Sequence, residues 1–236
     1  MKRKSGAQRS YEIFLAALGC TAVALQIILV LRTRAANDES VIRGLIDSVS
    51  YFTVLTNLMV AKVSSAAALR ATRASDGDVA DGISAVSAVR NEDDDARWPI
   101  SFLTNPGTMT AVAVYIAVVG LTYLLLLRNV WNPAGLQLVA DRALHDAVPV
   151  LYVLYWLIFV PKRNLRWSQP VWWLIYPAVY CLYSFVFGAI TGKYMYWFVD
   201  PLTLGYPRVV VHIALLLLFF LLLGEAAVGI GRLRRE

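Results

Sequence analysis

Between Arg208 and Glu225 the chain reads Val209-Val210-Val211-His212-Ile213-Ala214-Leu215-Leu216-Leu217-Leu218-Phe219-Phe220-Leu221-Leu222-Leu223-Gly224, without a charge and with a single polar side chain. An uninterrupted apolar block of this kind, about 20 residues with its flanks, is what a helix needs to cross a hydrocarbon layer about 30 Å thick. Five more blocks share the pattern. The spans are expected at 11–31, 47–69, 108–128, 145–161, 170–190 and 208–230. The fourth is the shortest, and the stretch Gly135–His145 is an alternative, earlier start for it. The second is the least apolar, because it holds Asn57, Lys62, Ser64 and Ser65. In all, 58% of the 236 residues are hydrophobic and the mean hydropathy is +0.59, above the range of soluble domains. The expected fold is all-α: a polytopic membrane protein, 1–236, forming one bundle of about six transmembrane helices.

Charge sets the expected orientation. The net charge is +6, and most basic residues cluster at the ends of apolar blocks, which points to topology and not to nucleic acid. The N-terminus, the second loop, the fourth loop and the C-terminus together carry 14 Lys and Arg, against 7 on the opposite side. The basic side is expected to be cytoplasmic, giving N-in and C-in in the cell membrane. The run from Tyr11 to Leu31 exceeds a signal-peptide core and lacks a small-residue cleavage site, so it is read as a retained span. The segment 71–107 holds Asp76, Asp78, Asp81 and Glu92-Asp93-Asp94-Asp95, with no aromatic residue before Trp98. It is expected to be a flexible, solvated cytoplasmic loop. Trp98, Trp131, Trp167 and Trp197 lie at predicted span ends, as an interfacial belt would.

Cys20 and Cys181 both sit in apolar blocks, so no disulfide is expected. With only two histidines, a three-histidine zinc site is excluded within one chain, and no metal or cofactor is expected. Polar groups inside spans are costly and usually face a protein interior. Here Thr53, Thr56, Asn57, His145 and His212 all fall in the half of the membrane expected to be outer. A threonine hydroxyl needs an adjacent base to act as a nucleophile, and imidazole is the usual base near neutral pH. Asp141, four residues before His145, is placed to hold the imidazole; Asp146 is the alternative. Tyr176, Tyr180 and Tyr183 share one helical face, as do Tyr152, Trp156 and Phe159. Either stripe could line an acyl cavity or simply pack.

Several motifs occur together. They are Ser50-Tyr51-Phe52-Thr53-Val54-Leu55-Thr56-Asn57-Leu58, Asp141-Arg142-Ala143-Leu144-His145 with Val148-Pro149, Trp156 through Pro161-Lys162, Trp173-Leu174-Ile175-Tyr176-Pro177, and Thr191 through Asp200 with Gly205-Tyr206. In this combination the chain resembles bacterial Pr6Pr-type six-helix membrane proteins. These are distantly similar to the androgen-induced family, which includes the androgen-dependent tissue-factor-pathway-inhibitor-regulating proteins. That resemblance implies an intramembrane hydrolase that cleaves fatty acid esters of hydroxy fatty acids, with a lipid ester as substrate and a threonine and a histidine as catalytic residues. The threonine maps to Thr53 and the histidine to His145. Asp200 stands where that family has Glu, and Trp197 where it has Pro. The spacing after Thr53 also differs, which keeps Thr56 as a second candidate hydroxyl. Asn57, one turn from Thr53, is the candidate oxyanion donor. The competing readings are a small-molecule or ion transporter or channel, and a non-enzymatic scaffold that uses the acidic loop.

Overall fold

A computed structural model of the chain describes residues 5–80 and 98–233. Among these residues there is no strand, and six helices are long and apolar enough to cross a membrane. The first is α1 (Gly6–Ala36), capped by the Ser5 side chain. It is followed by a ten-residue helix, α2 (Val41–Ser50), and then by α3 (Phe52–Ala80), whose spanning part is Phe52–Arg70. A short α4 (Trp98–Leu103) leads into α5 (Pro106–Thr122), which continues as a π turn over Tyr123–Leu127. The fourth span is composite: α6 (Gly135–Arg142), a π turn over Ala143–Ala147, and α7 (Val148–Phe159). The fifth is α8 (Gln169–Trp173) with α9 (Ile175–Thr191). A 3-10 turn at Trp197–Val199 and α10 (Pro201–Leu204) precede α11 (Tyr206–Leu233).

The fourth span begins at Gly135, the upstream start that the sequence reading left open, so His145 lies inside the helix. Two expectations need correction. The loop expected over 71–107 is narrower, because 71–80 prolong α3 and Trp98–Leu103 is helical; 81–97 lie outside the described residues. The span expected at 47–69 is two helices, broken at Tyr51, whose ψ of 132° is extended.

Small residues let the helices approach closely, as is usual where no aqueous hydrophobic effect drives packing. A Cβ on Gly19 of α1 would lie 3.3 Å from Ala61 Cβ of α3, and one on Gly120 of α5 would lie 3.1 Å from Pro149 Cβ of α7. The core between α1, α3, α5 and α7 is built from Leu15, Val60, Val63, Val112, Ile116 and Val148, all fully buried. The aromatic stripe of α7 packs here: Trp156 donates to Thr110 Oγ1 at 2.9 Å, and Tyr152 is fully buried. Lys162, a topology marker in the sequence, is buried at the end of α7. Its Nζ donates to the carbonyls of Trp156, Leu157 and Val160 at 2.6, 3.1 and 2.8 Å. A cation at a helix C-terminus satisfies orphan carbonyls in this way.

Candidate active site

The break at Tyr51 leaves polar backbone exposed within the bundle, and helix α9 satisfies it. The Tyr180 hydroxyl donates to Ser50 O at 2.9 Å and accepts the Phe52 N–H at 3.1 Å. Ser50 Oγ and the Tyr183 hydroxyl are 2.6 Å apart. Irregular backbone at membrane depth survives only with such partners. The restart of the helix puts Thr53 in the first turn of α3.

His145 is held opposite by the π turn. Pro149, four residues on, has no N–H to offer the His145 carbonyl and its ring crowds that position. The helix accommodates this by widening, and Val148 N–H bonds back to Ala143 O. Such π turns occur often at functional sites. Gly120 on α5 leaves room for this geometry, since a Cβ there would sit 3.2 Å from His145 O.

The two side chains meet. Thr53 Oγ1 and His145 Nε2 are 3.4 Å apart. On its other edge, His145 Nδ1 lies 3.0 Å from the backbone oxygen of Asp141 and 3.2 Å from its carboxylate Oδ1. Those acceptors assign the proton to Nδ1, which leaves Nε2 with a lone pair toward the threonine hydroxyl. Asp141 is itself fixed, because the Tyr123 hydroxyl donates to Oδ2. The Tyr123 ring stacks on the imidazole with centroids 4.1 Å apart and planes at 14°. Arg128 and Arg142 both pair with Asp146, so Asp146 is occupied elsewhere and Asp141 is the residue that orients the histidine.

The remaining candidates sort by their partners. Asn57 is fully buried and gives its amide to Thr53 O at 2.8 Å and Leu144 O at 3.2 Å. It ties α3 to the histidine helix and has no amide hydrogen left for an oxyanion, contrary to the sequence reading. Thr56 is 3.3 Å from the Tyr176 hydroxyl and is buried against α9. Asp200 caps α10, accepting Leu202 N–H at 2.8 Å and the Thr203 hydroxyl at 2.7 Å, so it is not brought to the pair. His212 Nδ1 donates to Phe198 O at 2.7 Å and pins the 3-10 turn to α11. Among the described residues, no group of three or more His, Cys, Asp or Glu could hold a metal ion.

Tyr196 was not singled out from sequence. It lines both cavities beside Thr53 and His145, its ring packs edge-on against Tyr51 with centroids 5.9 Å apart, and burial pushes its pKa up. Only its place in the motif from Thr191 to Asp200 hinted at it, and that motif gave it no role. Tyr123 had no sequence signal at all.

Two cavities meet at the pair. A cleft of about 580 Å³ has a mixed wall, in which Gln26, Arg34, Asn37, Glu39 and Gln137 stand among apolar groups such as Val30, Val54, Leu144 and Met195. A narrow pocket of about 50 Å³ is lined almost wholly by apolar groups, among them Val118, Val119, Pro177, Cys181, Leu216 and Phe220. Thr53, Leu127, His145 and Tyr196 line both.

Comparison with protein-family models, with curated proteins and with solved structures finds no match to this chain.

Proposed function

We propose that this protein is an intramembrane hydrolase of lipid esters that uses Thr53 as nucleophile and His145 as base. The observation that carries this reading is the 3.4 Å approach of Thr53 Oγ1 to His145 Nε2 where a wide cleft of mixed polarity meets a narrow apolar pocket. The ester carbonyl lies where the two cavities meet, with the bulk of the ester in the wider cleft and only a short apolar segment of a few carbons in the narrow pocket. Thr53 Oγ1 attacks the carbonyl carbon and its proton passes to His145 Nε2. The Asp141 carboxylate stabilises the imidazolium through Nδ1–H. The developing oxyanion is received by the Tyr196 hydroxyl, which burial keeps protonated. Collapse expels the alcohol, which takes the proton from Nε2 and leaves an acyl ester on Thr53. Water, deprotonated by His145, then releases the acid and restores the hydroxyl.

A transporter reading is less well supported, because the intramembrane polar groups converge on one reactive pair and not on a path from one end of the bundle to the other. The test is turnover of long-chain p-nitrophenyl esters by the full-length protein in lipid nanodiscs. Thr53→Ala is expected to lose activity by about 10³-fold or more, and Thr53→Ser to keep a measurable share. Equal turnover by wild type and Thr53→Ala would end the proposal.

A further inference from the structure

Helix α2 has its polarity inside out. Its buried face is Gly44, Asp47, Ser48 and Ser50, whereas Val41, Ile42, Leu45, Ile46 and Val49 are exposed. The exposed set recurs at i, i+1, i+4, i+5 and i+8, which is one continuous stripe of a helix. Ile42 is 74% exposed. In a loop bathed by water this arrangement would turn its apolar side to solvent and its carboxylate to the interior. Ten residues of helix measure about 15 Å, too short to cross a bilayer but enough to reach its middle.

The partners of α2 fix its depth. Gly44 lies against the last turns of α1, where a Cβ would meet Arg34 Cγ at 3.0 Å. Its C-terminal end meets Tyr180 and Tyr183 of α9 through Ser50. Tyr180 is 11 residues before the end of α9 at Thr191, about 16 Å along the helix axis. Helix α2 therefore descends beside a spanning helix to roughly mid-bilayer depth. The adjoining α9 exposes Leu182, Val186 and Ile190, so the stripe of α2 continues the outer apolar surface of the bundle. On the inner side, Asp47 is held by Arg34 Nη2 at 2.8 Å and Lys193 Nζ at 2.6 Å. That arrangement clamps α2 to α1 and to the loop that carries Tyr196.

We propose that α2 is a lipid-immersed half-span, whose Ile42, Leu45, Ile46 and Val49 face sits among acyl chains of the leaflet on the site's side. Ser48 and Tyr51, at its lower end, line the wide cleft. The wall of the cleft thus lies at acyl depth, and an amphiphile in that leaflet meets the cleft without leaving the membrane. This inference stands whether or not the chain hydrolyses esters.

The experiment places an environment-sensitive nitrobenzoxadiazole label on single cysteines at Ile42, Ile46 or Val49. The background is the full-length protein with Cys20→Ala and Cys181→Ala, reconstituted in phosphatidylcholine vesicles. Ala36→Cys, at the exposed end of α1, is the aqueous reference. All variants are first checked for monodispersity and helical circular dichroism. Labels on α2 are expected to emit to the blue of the reference and to be quenched by doxyl-labelled lipids. The most effective doxyl position should move down the acyl chain from residue 42 to residue 49, over about 10 Å. Red emission with quenching by aqueous iodide overturns the proposal. So does a blue emission that no doxyl lipid quenches and that reddens as vesicles are diluted in lipid, which would assign the face to a second copy of the chain.

Discussion

Tyr196 shows how much of the site depends on a residue with no recognisable code. Its ring packs against Phe198, with centroids 5.3 Å apart, and it lines both cavities beside Thr53. Tyr196→Phe keeps the ring and removes only the donor. Loss of one oxyanion donor costs about 10²–10³ in kcat, so a fall of that size with a nearly unchanged KM is expected. Burial raises the phenol above its ordinary value near 10, and the donor is the neutral form. A raised pKa moves the loss of that form to a pH above that of an ordinary phenol. The wild-type kcat profile should therefore show no descending limb from this group between about pH 7 and 9. An alkaline limb in that range that vanishes in Tyr196→Phe would show that the phenol ionises there, and would remove Tyr196 from the oxyanion role. His145, by contrast, stood out in the sequence as one of two histidines, an imidazole being costly inside an apolar span, whereas Thr53 stood out among many hydroxyls only through the resemblance of its motif. Asn57 was misread for a related reason: its position one turn from Thr53 was visible, but the two carbonyls that claim its amide were not.

At the level of elements, the six apolar blocks were legible because helices must be about 20 residues long to span a bilayer. The breaks within them were not. The break at Tyr51 contains neither Gly nor Pro; it is held by hydroxyls of Tyr180 and Tyr183, about 130 residues away. That is also the role of the tyrosine stripe, which sequence could place on one face but not assign. The π turn at Ala143–Ala147 had a local signal in Pro149, yet that proline alone does not distinguish a kink from a widened turn. The turn can be tested. Pro149→Ala restores an N–H able to bond His145 O and lets the helix close to regular α geometry. Closure rotates His145 relative to Thr53, and a misplacement near 1 Å is worth on the order of 10²-fold in rate. Activity is expected to fall by that order while the thermal unfolding midpoint stays level or rises, because an interior proline has been removed. A variant that loses stability and activity together would instead mean that Pro149 serves packing against Gly120.

For the whole molecule, six crossings put both ends of the described chain on one side, with the Thr53–His145 pair toward the other. The charge count favours a cytoplasmic location for the termini, but the structure changes what that count contains. Lys162 is buried as a helix cap, so it is not free to meet lipid headgroups or cytosol. The margin between the sides narrows by one yet stays about two to one, and the positive-inside bias still sets the same orientation. Two exposed positions report on it: Asn132, between the third and fourth spans, and Ser168, between the fourth and fifth. In intact cells, a membrane-impermeant maleimide is expected to label Asn132→Cys, with Ser168→Cys reacting only after permeabilisation. The control is the same chain with Cys20 and Cys181 replaced. The reverse pattern would turn the bundle over and move the reactive pair to the cytoplasmic leaflet. The geometry of the pair would be untouched, but its substrate would then be drawn from lipids made and remodelled inside the cell. If both cysteines labelled without permeabilisation, the number of crossings between them would be even, and the composite fourth span, α6 with its π turn and α7, would not cross at all.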